Sequence, residues 1–129
     1  MTRIHVARTG VWLLLALMCG CGGPPALPPD AAALVGRWMR EDGGYILEVK
    51  SASADGTLAA AYLNPNPIHI SQAKWQRDAE EGTKVLIVLT DTGYPDATYR
   101  LHHRGDTFVG TYTQPAIAQT FDVTFTRQP

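Results

Sequence analysis

Tyr45-Ile46-Leu47-Glu48-Val49-Lys50-Ser51, Ala52-Ser53-Ala54-Asp55-Gly56 and Thr57-Leu58-Ala59-Ala60-Ala61-Tyr62-Leu63 form the stretch that decides the fold. In its first part Tyr45, Leu47 and Val49 point one way and Ile46, Glu48 and Lys50 the other, the period-two pattern of a strand with one buried face. In its last part Leu58, Ala60 and Tyr62 share a face. The alanines between them favour a helix, but Asp55-Gly56 interrupts them. Glycine reaches positive φ without a Cβ clash, so Asp-Gly between two alternating runs specifies a β-hairpin.

The same grammar extends in both directions. Short β-rich runs fall at Val35–Arg40, Tyr45–Ser51, Thr57–Leu63, Ile68–Arg77, Lys84–Thr90, Thr98–His103, Thr107–Thr113 and Thr120–Arg127, separated by Gly, Pro, Asn and Asp clusters. Phe108, Gly110 and Tyr112 share a face, as do Phe121, Val123, Phe125 and Arg127. The fourth run changes parity between Ile70 and Trp75, which predicts a bulge. Val85-Leu86-Ile87-Val88-Leu89 is apolar on both faces and needs some cover outside. No segment carries a helical period. The prediction is an all-β domain, an eight-stranded antiparallel up-and-down barrel, because sequential hairpins that close remove the unpaired edges. A Greek-key β-sandwich is the alternative.

The chain has 129 residues, enough for one domain. Lys plus Arg total 11 and Asp plus Glu 12, so there is no basic stripe of the kind a nucleic acid requires. A hydrophobic content of 45% excludes wholesale disorder.

The N-terminus reads as targeting rather than fold. Arg3 and Arg8 precede the apolar run Val11–Met18, which is too short to span a bilayer, since that takes roughly 20 residues. Cys19-Gly20-Cys21-Gly22-Gly23 follows at once. Leu17, Met18 and Gly20 before Cys21 resemble the lipobox of bacterial lipoproteins. That resemblance implies a signal peptide over 1–20, lipidation of Cys21 and a membrane anchor. The absence of Asp after Cys21 favours the outer membrane, with the domain facing the periplasm. A mature chain beginning at Cys21 keeps no second cysteine, so its core alone must hold the fold. Residues 21–33, with Pro24, Pro25, Pro28 and Pro29, read as an extended tether, and 34–129 as the barrel.

Gly36-Arg37-Trp38 opens the first strand, and Arg127 lies on the inward parity of the last. This placement resembles the calycin superfamily (lipocalins, fatty-acid-binding proteins and avidins), in which a basic side chain of the last strand packs over the Trp of a Gly-x-Trp. The resemblance implies a structural pair, Trp38 and Arg127, at the closed end. Leu34–Trp38 with Ala54–Leu58 and Tyr62 is most similar to the opening of an avidin. The polar partners and the aromatic box that hold biotin have no counterpart here, so biotin binding is not expected.

In an up-and-down barrel the turns after runs one, three, five and seven lie at the end away from the tether. They carry Asn64, Asn66, Tyr94, Gln114 and Ile117, the candidate face for a partner or ligand. Tyr62 and Tyr112 are expected in the barrel interior. His102 and His103 are adjacent on a strand and point to opposite faces, so no metal site is expected. No nucleophile–base motif occurs, and no catalytic residue, enzyme activity or cofactor is expected. The functional expectation is a lipid-anchored protein of the bacterial cell envelope. It would bind an envelope protein partner through the distal loops. The alternative is a carrier of a small apolar ligand inside the barrel.

Overall fold

The structure, a computed structural model, describes residues 26–129. The expected signal peptide over 1–20, Cys21 and the first part of the tether lie outside the described residues.

One helical turn, α1 (Pro29–Ala32), precedes nine strands: β1 (Gly36–Arg40), β2 (Ile46–Ala52), β3 (Leu58–Asn64), β4 (Asn66–Ile68), β5 (Ile70–Asp78), β6 (Gly82–Asp91), β7 (Tyr94–Arg104), β8 (Thr107–Gln114) and β9 (Gln119–Arg127). All pairings are antiparallel, in the order β4-β3-β2-β1-β9-β8-β7-β6-β5. The two outermost strands, β4 and β5, are separated in the chain by His69 alone, so the backbone itself joins the edges of the sheet. A bridge between Thr57 and Lys74 and a Trp75 N–H donated to the Gly56 carbonyl (2.9 Å) stitch β3 to β5 at the tether end. The result is a nearly closed up-and-down barrel.

Four sequence expectations need correction. The fourth run is two strands rather than one. Pro65 and Pro67 lack N–H donors and confine β4 to three residues before the chain bends at His69. The expected slip follows, between Ile70 and Gln72. Tyr94 is not in a loop but is the first residue of β7, because the hairpin is only Thr92-Gly93 long. Pro95 stands opposite Thr90 at a register slip, and Asp96 takes φ 55°, so strand pairing absorbs the residues that read as loop. Asn64, Asn66 and Gln114 likewise lie at strand ends. Finally, the extended tether ends in α1: Pro29 supplies a helical φ at the first position, and Ala31 and Leu34 are fully buried. The Asp30 carboxylate fixes this turn to the sheet by accepting two bonds from Arg77, at 2.7 and 2.6 Å.

The lumen is filled. Trp38, Tyr62, Tyr99, Phe108 and Phe125 are all at or below 1% exposure, interleaved with Leu47, Val49, Ile87, Leu89 and Leu101. Each such burial removes roughly 1.5–3 kcal/mol of apolar exposure from water. Gly110 lets the sheet curl here, since a Cβ at that position would lie 1.9 Å from the Arg100 carbonyl oxygen. Outside, Leu86 sits in a shallow groove lined by Lys74, Gln76, Lys84, Arg100 and His102, whose stems give the apolar run of β6 its cover.

Candidate functional site

The inward positions of β1 are Gly36, Trp38 and Arg40, and they reach from one end of the barrel to the other. At the tether end Trp38 is fully buried, donates Nε1–H to the Leu34 carbonyl (3.0 Å) and packs on Phe108 with ring centroids 4.0 Å apart. The Arg127 guanidinium lies over its indole, 4.1 Å from the ring centroid. Arg127 also donates to the carbonyls of Val35 (3.0 Å) and Ala33 (2.5 Å). Gly36 makes this possible: it takes φ 147°, and a Cβ there would stand 2.6 Å from Arg127 Nη1. His103 meets the indole edge-on, and burial lowers its pKa. This end is closed by side chains.

The other end is open. A cup of about 320 Å³ is lined by Arg40, Asp42, Tyr45, Tyr62, Tyr94, Tyr112, Gln114 and Phe121. Arg40 is its single cation, and its side chain is 11% exposed. The guanidinium lies 4.8 Å from the Tyr45 ring centroid and 5.3 Å from that of Tyr112. Its Nη1 donates to Tyr99 Oη at 2.9 Å. Its other edge, Nε and Nη2, donates to the two carboxylate oxygens of Asp42 at 2.5 and 2.7 Å. Tyr62 and Tyr99 share a hydroxyl hydrogen bond of 2.6 Å, with rings tilted against each other.

Burial opposes the charge of Arg40, but its bonds to Asp42 and Tyr99 outweigh this and raise its pKa. The hydrogen bond from Arg40 holds the Asp42 carboxyl below the usual carboxylate range. Burial pushes Tyr99 up to about 12 and raises Tyr62 and Tyr112 as well, so all three hydroxyls stay protonated at neutral pH. The cup therefore presents neutral hydroxyls, aromatic rings and one largely covered cation paired with the Asp42 carboxylate.

The residues expected to form a distal face divide into two groups. Tyr94 and Gln114 line the cup, and Asn64, outside the lining, supports it: Asn64 Nδ2 donates to Tyr94 Oη (2.6 Å) and Gln114 Nε2 to Tyr112 Oη (3.0 Å). Asn66 and Ile117 do not line it. Asn66 is exposed, and Ile117, 54% exposed, borders a separate dent of about 70 Å³ beside Tyr94 and Pro95. Arg40, Asp42 and Tyr99 were not among the expected site residues. The parity that placed Arg127 inward also places Arg40 inward, two residues after Trp38, and that signal could have found it. Tyr99 has the parity of Leu101 and His103.

Among the described residues no three His, Cys, Asp or Glu side chains are grouped to hold a metal ion. Comparison of the chain with models of known protein families, with curated proteins and with solved structures finds no match.

Proposed function

We propose that the protein is a lipid-anchored binding module of the bacterial cell envelope, and that its recognition site is the tyrosine-lined cup at the distal mouth of the barrel. The observation that carries this reading is the contrast between a filled lumen and an open, chemically mixed cup at the end away from the tether. Aromatic residues and arginine dominate protein recognition sites, because they offer large contact area and directed hydrogen bonds at low entropic cost. The packed lumen also favours surface binding over carriage of an apolar ligand within the barrel. The anchor rests on Arg3, Arg8, Val11–Met18 and Cys21, which resemble a lipoprotein signal.

A photoreactive side chain at Asn66, on the rim of the mouth, tests the site in the full-length protein. The expected result is a discrete adduct that a Tyr94→Ala/Tyr112→Ala double variant loses, with no such adduct from Asp106 at the tether end. Equal adducts from both ends, or persistence in the double variant, would refute the reading. A native mass spectrum with a releasable extra mass would favour the carrier. Cys21→Ser should move the protein out of the membrane fraction, and retention there would remove the anchor.

A further inference from the structure

The geometry points to a carboxylate, attached to a flat apolar body, as the group that the cup recognises, with the Asp42 side chain as its built-in stand-in. The inference rests on the cup being the recognition site.

A guanidinium has two faces and several donor edges. At Arg40 the guanidinium carbon lies over the Tyr45 and Tyr112 rings, and Nη1 is engaged by Tyr99. The Nε–Nη2 edge remains, and it faces the residue that lines the opening. Two parallel N–H donors in one plane match two carboxylate oxygens, and this fork is the most selective feature an arginine offers. Asp42 already fills it in that bidentate form, so the chain itself displays which chemistry fits.

The manner of filling matters as much. Asp42 belongs to the exposed turn 41–44, its side chain is 56% exposed, and its carboxylate accepts its side-chain hydrogen bonds from Arg40 alone. A rotation about its own side-chain bonds, with no movement of the strands, vacates the fork. Arg40 by contrast is 11% exposed and held on three sides. A largely covered cation whose counter-ion sits on an exposed turn is arranged for exchange: an incoming carboxylate replaces Asp42 one for one, and the arginine is not left unpaired.

The surroundings specify what the carboxylate is attached to. The walls are the rings of Tyr45, Tyr62, Tyr94, Tyr112 and Phe121, and a volume of about 320 Å³ is at the small end for ligand pockets. A ring or a short apolar chain carrying the acid fits this lining, beside the Tyr94 and Tyr112 hydroxyls that accept from Asn64 and Gln114. A free small acid and the C-terminus of a polypeptide share this chemistry.

Self-occupation lowers apparent affinity by the fraction of molecules whose fork is vacant, so removing Asp42 must raise it. The test titrates phenylacetate and phenylacetamide into the wild-type barrel and Asp42→Ala, with binding read by calorimetry. Asp42→Ala alters an exposed turn, and an unchanged melting midpoint verifies its fold. The expected result is phenylacetate binding about two- to sixfold tighter to Asp42→Ala than to wild type, with the amide much weaker on both. Arg40→Lys, which keeps the charge and loses the fork, should abolish the gain when combined with Asp42→Ala. A peptide ending in a free phenylalanine carboxylate identifies the source. Much tighter binding than phenylacetate indicates a polypeptide terminus, and equal binding a free acid. No gain in Asp42→Ala, or equal binding of acid and amide, overturns the inference. The Asn66 adduct then tells the two failures apart: if it persists in Asp42→Ala the binding module stands and only the carboxylate falls.

Discussion

The two ends of the barrel use the same device for opposite results. At each end an arginine guanidinium lies over aromatic rings: Arg127 over Trp38, and Arg40 over Tyr45 and Tyr112. The difference is in what accepts their hydrogen bonds. Arg127 donates to the backbone carbonyls of Ala33 and Val35, which cannot leave without unfolding the entry to β1. Arg40 donates to the side chains of Tyr99 and Asp42, and Asp42 is free to turn away. Each arginine also meets an exposed carboxylate, Asp106 at 3.4 Å from Arg127 and Asp42 in a bidentate pair with Arg40, but only Arg127 is tied to main chain as well; on the proposed reading the first is a rivet and the second a receptor. The ring underneath does not decide which.

The harshest way to break this comparison is Trp38→Ala. Loss of a fully buried indole should reduce stability by about 3–5 kcal/mol. Denaturant unfolding measures this, and a loss below 1 kcal/mol would mean that the closed end is not closed. Arg127→Ala should follow with about 1–3 kcal/mol, through lost stacking and two carbonyls left without their donor.

pH sharpens the contrast, because carboxyls lowered to about 2 lie at the tether end and a raised phenol lies at the mouth. Asp30 is held at about 2 by its hydrogen bonds to Arg77, and Asp78 at about 2 chiefly by the N–H groups of Glu81 and Glu80. Both are at the tether end. A lowered carboxyl contributes stability above its ordinary value near 4, and that contribution is lost as pH falls toward 2. Acid should therefore loosen α1 first, visible in tryptophan emission, and Asp30→Asn should flatten that step. At the mouth, burial holds Tyr99 at about 12. A raised phenol contributes stability below about 10, lost as pH climbs through 12. Stability should fall over that range, and the Tyr99→Phe variant should lose part of the slope. The smallest effect is expected for Asp42→Ala: a half-exposed ion pair contributes about 0–1 kcal/mol, so its melting midpoint should barely move. A large drop would make Asp42 a second rivet.

Most of the barrel was legible because alternation and turn chemistry are local. The hairpin at Asp55-Gly56 and the alternation in Phe121–Arg127 are each set by residues only a few positions apart, and the strands follow. Pro95 lies inside β7, although proline ordinarily marks a loop, because a register slip near the start of the strand accommodates it. The site was only half legible. Tyr94, Asn64 and Gln114 were visible as polar or aromatic residues near turns. Arg40, Asp42 and Tyr99 were not, because the cup is made of residues far apart in the chain, and only the register of the closed sheet brings Arg40 to Tyr99.

Every neighbouring pair in this sheet is adjacent in the chain except one. β1 meets β9 through Trp38–Arg127, Met39–Thr126 and Arg40–Phe125. That short ladder cannot arise from hairpin formation and must wait for the largest loop closure in the molecule. Both stacked arginines belong to it. The kinetic consequence is that the rivet and the proposed receptor come into being together, when the first and last strands find each other, so the cup is not assembled in a nascent barrel until its base is sealed.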